Sequence, residues 1–425
     1  ASGRAQVYAA LCRQLDKPLC IVTPGEAEAT RFAADLNTLG IPAAVFPARD
    51  YVLRPIEGTA REYEYRRLAV LGELVGGRLR AVAVPAEALT QFTTPKEDFC
   101  ANTRTLHAGD TLLRDDLLAA LFGAGYTRRA QGDGPGQFSV RGDIVDIFAP
   151  DQKMPVRMEF WGDEIDTLHT FDLTTQRRED AIDKFYLSPA REVLFGKPAD
   201  AAEQLRAFLA KQRGKKKPAM TDCMAADLDL LDGGAVPVNM DKYLAVRYPH
   251  PATVLDYFDD PILVAEEPAS IREADRATDY RRGEELKSLI LDGVLCAGLD
   301  NLYADPSYLW SKTGHYRTIC AENFARSMPD QPLKDIINAP AHSLPAWNGE
   351  VAGLLEDLKP LCDAGYTVTL LAGTDRAAAG LARDLRDKGI LVTTDAAAAP
   401  ATVRRTNAFS GISRVTGCRV PHPGR

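Results

Sequence analysis

In the first hundred residues, short apolar runs alternate with segments of helical periodicity. The runs Leu19–Thr23, Ala43–Phe46 and Arg80–Val84 are typical of buried strands. Apolar residues at the spacing of a helix face lie between them: Ala29, Phe32, Ala33 and Leu36, and then Leu68, Leu71 and Val75. Strands separated by helices of this length predict a mostly parallel sheet.

From about residue 105 the apolar period changes to two. Phe138, Val140 and Ile144 alternate with Ser139, Arg141 and Asp143, and Val156, Met158 and Phe160 alternate with Arg157, Glu159 and Trp161. Such alternation predicts antiparallel strands with one face in the core and one face in solvent. We therefore predict a small α+β antiparallel domain over residues 105–190.

The rest of the chain predicts a return to α/β structure. Residues 191–338 contain a strand at Pro261–Ala265 and a long charged helix over 270–291, and they are assigned to the same domain as residues 1–104. After a proline-rich link, residues 346–425 form a further small α/β domain. Its predicted elements are a strand at Tyr366–Leu371, a helix at Asp375–Lys388 and a strand at Gly389–Thr393, followed by an irregular tail.

Composition and charge argue against several classes of protein. The chain has 425 residues, is 45% apolar and 26% charged, and carries a formal net charge of −8. Nucleic-acid-binding domains usually carry a basic stripe, but the basic residues cluster here in one short run, Lys211–Lys217, so we expect weak DNA binding. The scattered cysteines and histidines predict reduced thiols and no metal site. No apolar run approaches the roughly 18 residues of a membrane span, and no signal-peptide pattern is visible, so a cytoplasmic location is expected.

Catalytic motifs are missing from the sequence. The phosphate-binding pattern G-x-x-x-x-G-K-[ST] does not occur, because the two Gly-Lys pairs are followed by Pro198 and by Lys216. A carboxylate nuclease remains an alternative, since such enzymes hold Mg²⁺ between converging acidic side chains. Its candidate ligands are Asp143, Asp146, Glu159, Asp163, Glu164 and Asp166. Their positions favour the exposed edges of strands, so we predict no catalytic residue and no bound cofactor.

Four segments in one order carry a family resemblance. They are G-Q-F-S-V-R-G-D-I-V-D-I-F at 136–148, P-V-R-M-E-F-W-G-D-E-I at 155–165, F-D-L-T-T-Q-R at 171–177 and L-S-P-A-R-E at 187–192. This series resembles the second domain of the bacterial transcription-repair coupling factor family, whose front end is similar to the repair helicase UvrB. Upstream, F-P-A-R-D at 46–50 and R-E-Y-E-Y-R-R-L at 61–68 suit the first domain of that family.

Two departures from UvrB favour the coupling factor over the alternative of a UvrB-like helicase fragment. Gly3, Arg4 and Ala5 stand where UvrB carries the Gly-Lys-Thr of its phosphate loop, and alanine cannot ligate Mg²⁺. The resemblance therefore implies a degenerate phosphate loop. The connection between Phe46 and Arg61 is also too short for the hairpin with which UvrB clamps damaged DNA.

The resemblance implies a recruiting role in transcription-coupled nucleotide excision repair. In the family, the second domain docks UvrA, while later domains bind RNA polymerase and duplex DNA and use ATP and Mg²⁺ to drive a translocase motor. None of the 425 residues resembles those later domains, so the chain is expected to contain domains one to three only. The docking residues of the family fall on Arg141, Arg157 and Trp161.

The strand alternation supports the same three residues. Val156, Met158 and Phe160 are predicted to point into the core, which leaves Arg157 and Trp161 on the opposite face, and Arg141 lies on the solvent side of its own strand by the same count. We therefore expect all three side chains to be exposed. In the alternative interpretation, the tryptophan folds over a helix and the arginines pair with Glu159 or Asp143.

Overall fold

The computed structural model of the protein describes residues 2–56, 61–213, 216–296, 298–324, 334–338, 351–364, 368–372, 375–390, 392–393 and 414–418. The chain divides into two compact units. One contains residues 7–33 and 42–323, and the other contains residues 1–6, 34–41 and 324–425. The domain boundaries expected from the sequence remain predictions.

The helices begin and end as follows: α1 (Ser2–Leu15), α2 (Glu26–Thr38), α3 (Glu62–Val75), α4 (Ala86–Leu89), α5 (Lys96–Ala101), α6 (Arg114–Gly123), α7 (Pro198–Lys211), α8 (Lys216–Asp232), α9 (Leu244–Arg247), α10 (Pro268–Leu291), α11 (Tyr308–Lys312), α12 (Val351–Asp363) and α13 (Asp375–Asp387). Two 3-10 turns cover Met240–Tyr243 and Val254–Tyr257. No helix in the described part is long and apolar enough to cross a bilayer.

The strands are β1 (Leu19–Thr23), β2 (Ala43–Val45), β3 (Ala81–Pro85), β4 (Arg104–His107), β5 (Thr127–Arg128), β6 (Gln137–Arg141), β7 (Ile144–Phe148), β8 (Val156–Trp161), β9 (Glu164–Phe171), β10 (Arg178–Ala181), β11 (Lys184–Leu187), β12 (Ile262–Glu266), β13 (Arg317–Ala321), β14 (Val368–Ala372), β15 (Val392–Thr393) and β16 (Arg414–Cys418).

A parallel five-stranded sheet has the order β13-β12-β1-β3-β2. The central strand β1 pairs Leu19 with Ile262 of β12 on one side and with Ala81 of β3 on the other. Every residue of β1, β3 and β12 is buried, as expected for parallel strands covered on both faces. The predicted parallel sheet is confirmed. The strands of this sheet come from residues that precede 104 and from residues that follow 187. The antiparallel segment is therefore inserted, in sequence, between strands of the parallel sheet.

The antiparallel sheet has the order β10-β9-β8-β7-β6-β5, with β5 as a short parallel edge. Its inner face packs on α6 around Phe138, Val156, Met158 and Phe160, as the alternation predicts. The assignment of Ile144 to the core is wrong. Arg141 and Ile144 are paired across a two-residue turn in which Gly142 has a φ of 62°, so both lie on the outer face, and the core residues of β7 are Val145 and Ile147.

A buried polar network lies between the parallel sheet and the segment that follows β11. The Nε of Arg67 donates to Oε1 of Glu192 at 2.6 Å, and Nη1 of Arg49 donates to Oδ2 of Asp241 at 2.7 Å. The backbone N–H of Glu192 donates to Oε1 of Glu64 at 2.9 Å. Three of the sequence segments that carry the family resemblance supply Arg49, Glu64, Arg67 and Glu192, so these segments meet in three dimensions.

The C-terminal elements differ in one respect from the sequence prediction. The helix predicted at Asp375–Lys388 is confirmed as α13, and the two predicted strands appear as β14 and the short β15. The tail was expected to be irregular, but its residues 414–418 form β16, which lies between β14 and β15 and pairs antiparallel with both. Leu354, Leu358, Leu370 and Leu385 form the core of these elements.

Candidate partner-docking face

The candidate site lies on the outer face of the antiparallel sheet. Asp146 in β7 stands directly opposite Arg157 in β8, and Ser139 in β6 stands on its other side. Arg141 lies two residues after Ser139 and therefore on the same face. The sheet register thus brings Arg141 and Arg157 to one carboxylate, that of Asp146.

Asp146 is the centre of this arrangement and is only 4% exposed. Its Oδ1 accepts a hydrogen bond from Nε of Arg157 at 2.7 Å, and its Oδ2 accepts from Nη2 of Arg157 at 3.0 Å and from Nη2 of Arg141 at 2.7 Å. The contact with Arg157 is bidentate, which is the strong geometry for an arginine and a carboxylate. Two guanidinium groups share one carboxylate, so the cluster keeps an excess positive charge.

Gln176 closes over the cluster from the turn between β9 and β10. Its Oε1 accepts from Nη2 of Arg141 at 3.2 Å and from Nη2 of Arg157 at 3.3 Å, and its backbone oxygen accepts from Nη1 of Arg157 at 3.3 Å. Gln176 has a φ of 58°, in the left-handed region that non-glycine residues seldom occupy. The guanidinium of Arg157 also lies 4.5 Å from the centre of the Phe171 ring.

These contacts bury Arg157. The residue is 9% exposed, so the expectation of an exposed Arg157 is wrong. It does lie on the face opposite the core, as predicted, but the turn that contains Gln176 covers this part of the face. The hydrogen bond to Asp146 raises the pKa of Arg157 above its ordinary value. Arg157 therefore lies beneath the surface, where it holds Asp146 in place. The side chain of Arg141 is 49% exposed and reaches solvent.

Trp161 is 82% exposed at the end of β8. It pairs with Glu164 across a two-residue turn in which Gly162 has a φ of 64°, and a register shift after Glu159 precedes it. The alternative in which the indole folds over a helix is therefore wrong. The alternative pairing of the two arginines is wrong as well, since Asp143 lies 3.5 Å from Arg114 and Glu159 is paired with Arg178.

The candidate nuclease ligands do not come together. Asp146 is held by two arginines and Glu159 by Arg178. Asp143 and Asp163 lie in two-residue turns, and Glu164 and Asp166 lie at the start of β9. Among the described residues, no group of three acidic, histidine or cysteine side chains is placed to hold a metal ion. This arrangement gives the nuclease alternative no support.

The degenerate phosphate loop predicted at Gly3, Arg4 and Ala5 lies in the first turns of α1. Ala5 is buried, and its methyl side chain has no oxygen that could ligate a metal ion. The basic run at Lys211–Lys217 covers the end of α7 and the start of α8, with residues 214–215 outside the described part.

Sequence reasoning missed two residues of the site, Asp146 and Gln176. Asp146 was considered only as a possible metal ligand. Its position opposite Arg157 follows from the strand register, which the two-residue turn after Arg141 sets. For Gln176 the only sequence signal was its place in the F-D-L-T-T-Q-R segment, since nothing in the local pattern indicates that its turn folds onto β8.

Comparison with known proteins agrees with the resemblance. Residues 105–193 match the family described as the UvrB interaction domain. The transcription-repair-coupling factor of Bacillus subtilis (strain 168) is 24% identical over 400 residues, which cover 92% of this chain and 34% of the relative. The Myxococcus xanthus protein of the same name is 30% identical over 295 residues, covering 65% of the chain and 24% of the relative.

A third relative, the transcription-repair-coupling factor of Mycobacterium bovis (strain ATCC BAA-935 / AF2122/97), is 34% identical over 256 residues, which cover 58% of this chain and 20% of the relative. The chain spans about a third of the length of the Bacillus subtilis relative. Over most of its own length it is similar to the N-terminal region of transcription-repair coupling factors.

Proposed function

We propose that this chain is the N-terminal module of a transcription-repair coupling factor and that it recruits UvrA to stalled RNA polymerase in transcription-coupled nucleotide excision repair. The proposal rests on its similarity to the N-terminal region of such factors and on the match of residues 105–193 to the UvrB interaction domain. RNA polymerase and duplex DNA would be bound by regions outside this chain.

The observation that carries the docking site is the exposed Trp161 on the sheet that also holds the arginine cluster. Tryptophan and arginine are enriched among the residues that dominate binding energy at protein interfaces, and here an exposed tryptophan lies on the same sheet as an arginine cluster. Trp161 would enter an apolar pocket of UvrA. Arg141 would donate its free N–H groups to acceptor oxygens beside that pocket.

Arg157 has a different part in this proposal. Its guanidinium is held by Asp146, Gln176 and the Phe171 ring, so few of its donors are available to a partner. It would fix Asp146, and through Asp146 the direction of Arg141. The excess positive charge of the cluster favours a partner surface that carries carboxylates.

We also propose that the chain has no catalytic activity of its own. The supporting observation is the alanine at position 5 and the lack of any other phosphate-loop pattern in the sequence. ATP and Mg²⁺ would be used by the motor domains of a full-length protein. Calorimetric titration with Mg-ATP tests this part, and micromolar binding would contradict it.

The docking proposal is tested by measuring the affinity of immobilised UvrA for the parent chain and for Trp161→Ala and Arg141→Ala. Each variant is expected to weaken binding by about 2 kcal/mol, the size typical of central interface residues. Tyr280→Ala and Arg129→Ala are matched controls, because they remove an exposed aromatic ring from α10 and an exposed arginine from another edge of the antiparallel sheet. If both docking variants bind like the parent, the surface lies elsewhere.

A further inference from the structure

A cavity of about 360 Å³ lies beside α10 in the unit that contains residues 42–323. One wall is formed by Asp275, Asp279 and Arg282 on successive turns of the helix. The opposite wall is the segment from Asp300 to Pro306. This cavity is built from different elements than the docking face on the antiparallel sheet.

Asp275 is a buried carboxylate without a counter-ion. The residue is 8% exposed, and within the described part of the chain no hydrogen-bond donor or cationic group bonds to its carboxylate. Burial raises its pKa to about 6, against the opposing effect of Arg282. Buried charges are usually paired, because removing a carboxylate from water is costly. An unpaired carboxylate that lines a cavity is a candidate site for a cation from outside the chain.

Arg282, which lines the cavity two turns along α10 from Asp275, is already committed elsewhere. Its Nη1 donates to Oγ1 of Thr90 and its Nη2 donates to the backbone oxygen of Glu87, both at 2.8 Å. Its guanidinium also lies 3.9 Å from the centre of the Tyr303 ring. These contacts direct its donors away from Asp275, so the two residues form no ion pair.

The other ionised groups around the cavity increase its negative charge. Asp279, Asp300 and Asp305 are exposed and line the same space, so four carboxylates face one guanidinium. Asp300 and Asp305 each use one oxygen to accept the backbone N–H of Gly298 and of Ser307. Their remaining oxygens are available to a ligand.

The shape and lining of the cavity favour an organic cation over a metal ion. Among the described residues, no three potential ligands converge as a metal requires. The volume is that of a small-molecule site, and Leu286 and Pro306 give the wall an apolar part that would cover an aliphatic stem. We propose that this cavity binds an organic cation that carries ammonium or guanidinium groups on an aliphatic stem, with Asp275 as its buried counter-ion.

Such a cation has two possible sources, a free polyamine and an arginine side chain of a protein. The full chain is therefore titrated by calorimetry with spermidine and separately with N-acetyl-arginine amide, at low ionic strength and pH 7.5. Binding of either probe is the expected result, and the probe that binds more tightly identifies the source. The proposal would be overturned if neither probe gave heats above those of dilution at concentrations up to about 1 mM. A Kd of about 1 mM corresponds to a binding free energy of only about 4 kcal/mol.

The variant Asp275→Asn tests whether the cation binds in this cavity or is attracted only by the negative charge of the whole protein. It should weaken binding of the better probe by about tenfold or more, the usual value of a charge-assisted hydrogen bond. Asp222→Asn removes the same charge from an exposed position on α8 and should leave binding within about twofold of the parent. Equal binding by the parent and Asp275→Asn would contradict the proposal.

Asp279→Asn gives a second test at the exposed side of the cavity. It should weaken binding less than Asp275→Asn, because its carboxylate is accessible to water and screened. A thermal unfolding curve of each variant shows that the protein is folded. Asp275→Asn removes a buried charge and is expected to unfold no earlier than the parent.

Discussion

Arg67 and Glu192 form an ion pair in which neither side chain is accessible to solvent, with Nε of Arg67 2.6 Å from Oε1 of Glu192. Arg67 lies in α3, and Glu192 follows β11 at the point where the chain returns from the antiparallel segment to the α/β core. The guanidinium of Arg67 also packs 4.1 Å from the centre of the Phe46 ring. The pair therefore connects the part of the α/β core that precedes the antiparallel segment with the chain that follows this segment.

Arg67→Ala should destabilise the chain strongly, because the buried Glu192 carboxylate loses its ion pair and its hydrogen bonds with the Arg67 guanidinium. Removing one partner of a buried pair costs about 3–5 kcal/mol. The neighbouring Arg66 is a matched control, since its side chain is 42% exposed and its nearest carboxylate oxygen is 3.9 Å away. Arg66→Ala should change the free energy of unfolding in urea by less than about 0.5 kcal/mol. Similar losses for both variants would contradict the role given to the buried pair.

Glu64 in the same network predicts a dependence of stability on pH. Burial alone would raise its pKa, but the guanidinium groups of Arg49, Arg61 and Arg191 lower it to about 2. A carboxyl whose pKa is lower in the folded state stabilises the fold above its unfolded pKa, and this stabilisation is lost as the pH falls towards 2. Glu64→Gln should therefore cost roughly 2–3 kcal/mol at pH 7.

The measurement is urea unfolding of the parent and of Glu64→Gln at pH 7 and at pH 3. The difference between the two proteins should shrink at pH 3, where the Glu64 carboxyl is mostly protonated in the unfolded parent but still ionised in the folded parent. Glu62→Gln, an exposed change in the first turn of the same helix, provides the control. A difference that is independent of pH would show that Glu64 acts through packing alone.

Trp161 and Arg157 should differ in their effect on stability. Trp161→Ala removes an exposed ring and should change the free energy of unfolding by less than about 0.5 kcal/mol. Arg157→Ala leaves Asp146 buried with only Arg141 as its cation and should cost about 2–3 kcal/mol. Denaturant unfolding of the two variants decides this. Equal stability of Arg157→Ala and the parent would mean that Gln176 and Arg141 alone satisfy Asp146.

The contribution of Asp275 to the free energy of unfolding is expected to change with pH in the opposite direction from that of Glu64. Its folded pKa of about 6 lies above the unfolded value, so the folded state is favoured below about pH 4 and loses that advantage as the pH rises through 6. The charged groups around it are Asp279, Arg282, Asp300, Asp305 and the nearby Glu87, with Tyr303 neutral in this range.

Asp275→Asn should therefore be more stable than the parent at pH 7.5, by roughly 1–3 kcal/mol, and this difference should fall to about a third at pH 4.5. For Asp222→Asn, the difference in stability from the parent should not change with pH in this way. Chemical unfolding at the two pH values, without added polyamine, measures both differences. A variant that is less stable than the parent at pH 7.5 would mean that the Asp275 carboxylate has a stabilising partner within the chain.

The local pattern of the sequence determined the elements and their faces. Alternation placed Val156, Met158 and Phe160 in the core and Trp161 on the opposite face, because side chains of a strand alternate regardless of what surrounds them. The apolar runs at Leu19–Thr23 and Arg80–Val84 likewise identified strands buried on both faces of a parallel sheet. The pattern failed at Ile144, where a two-residue turn reset the register.

Only the tertiary structure decided which polar groups meet. Alternation assigns a face to Arg157, but whether that face is open depends on the turn that carries Gln176, nineteen residues further along the chain. The strand β16 was likewise outside the reach of local patterns, because it is defined by its pairing with β14 and β15. Hydrogen-bond partners and pairing depend on distances between residues far apart in sequence, and those distances are set when the whole core packs.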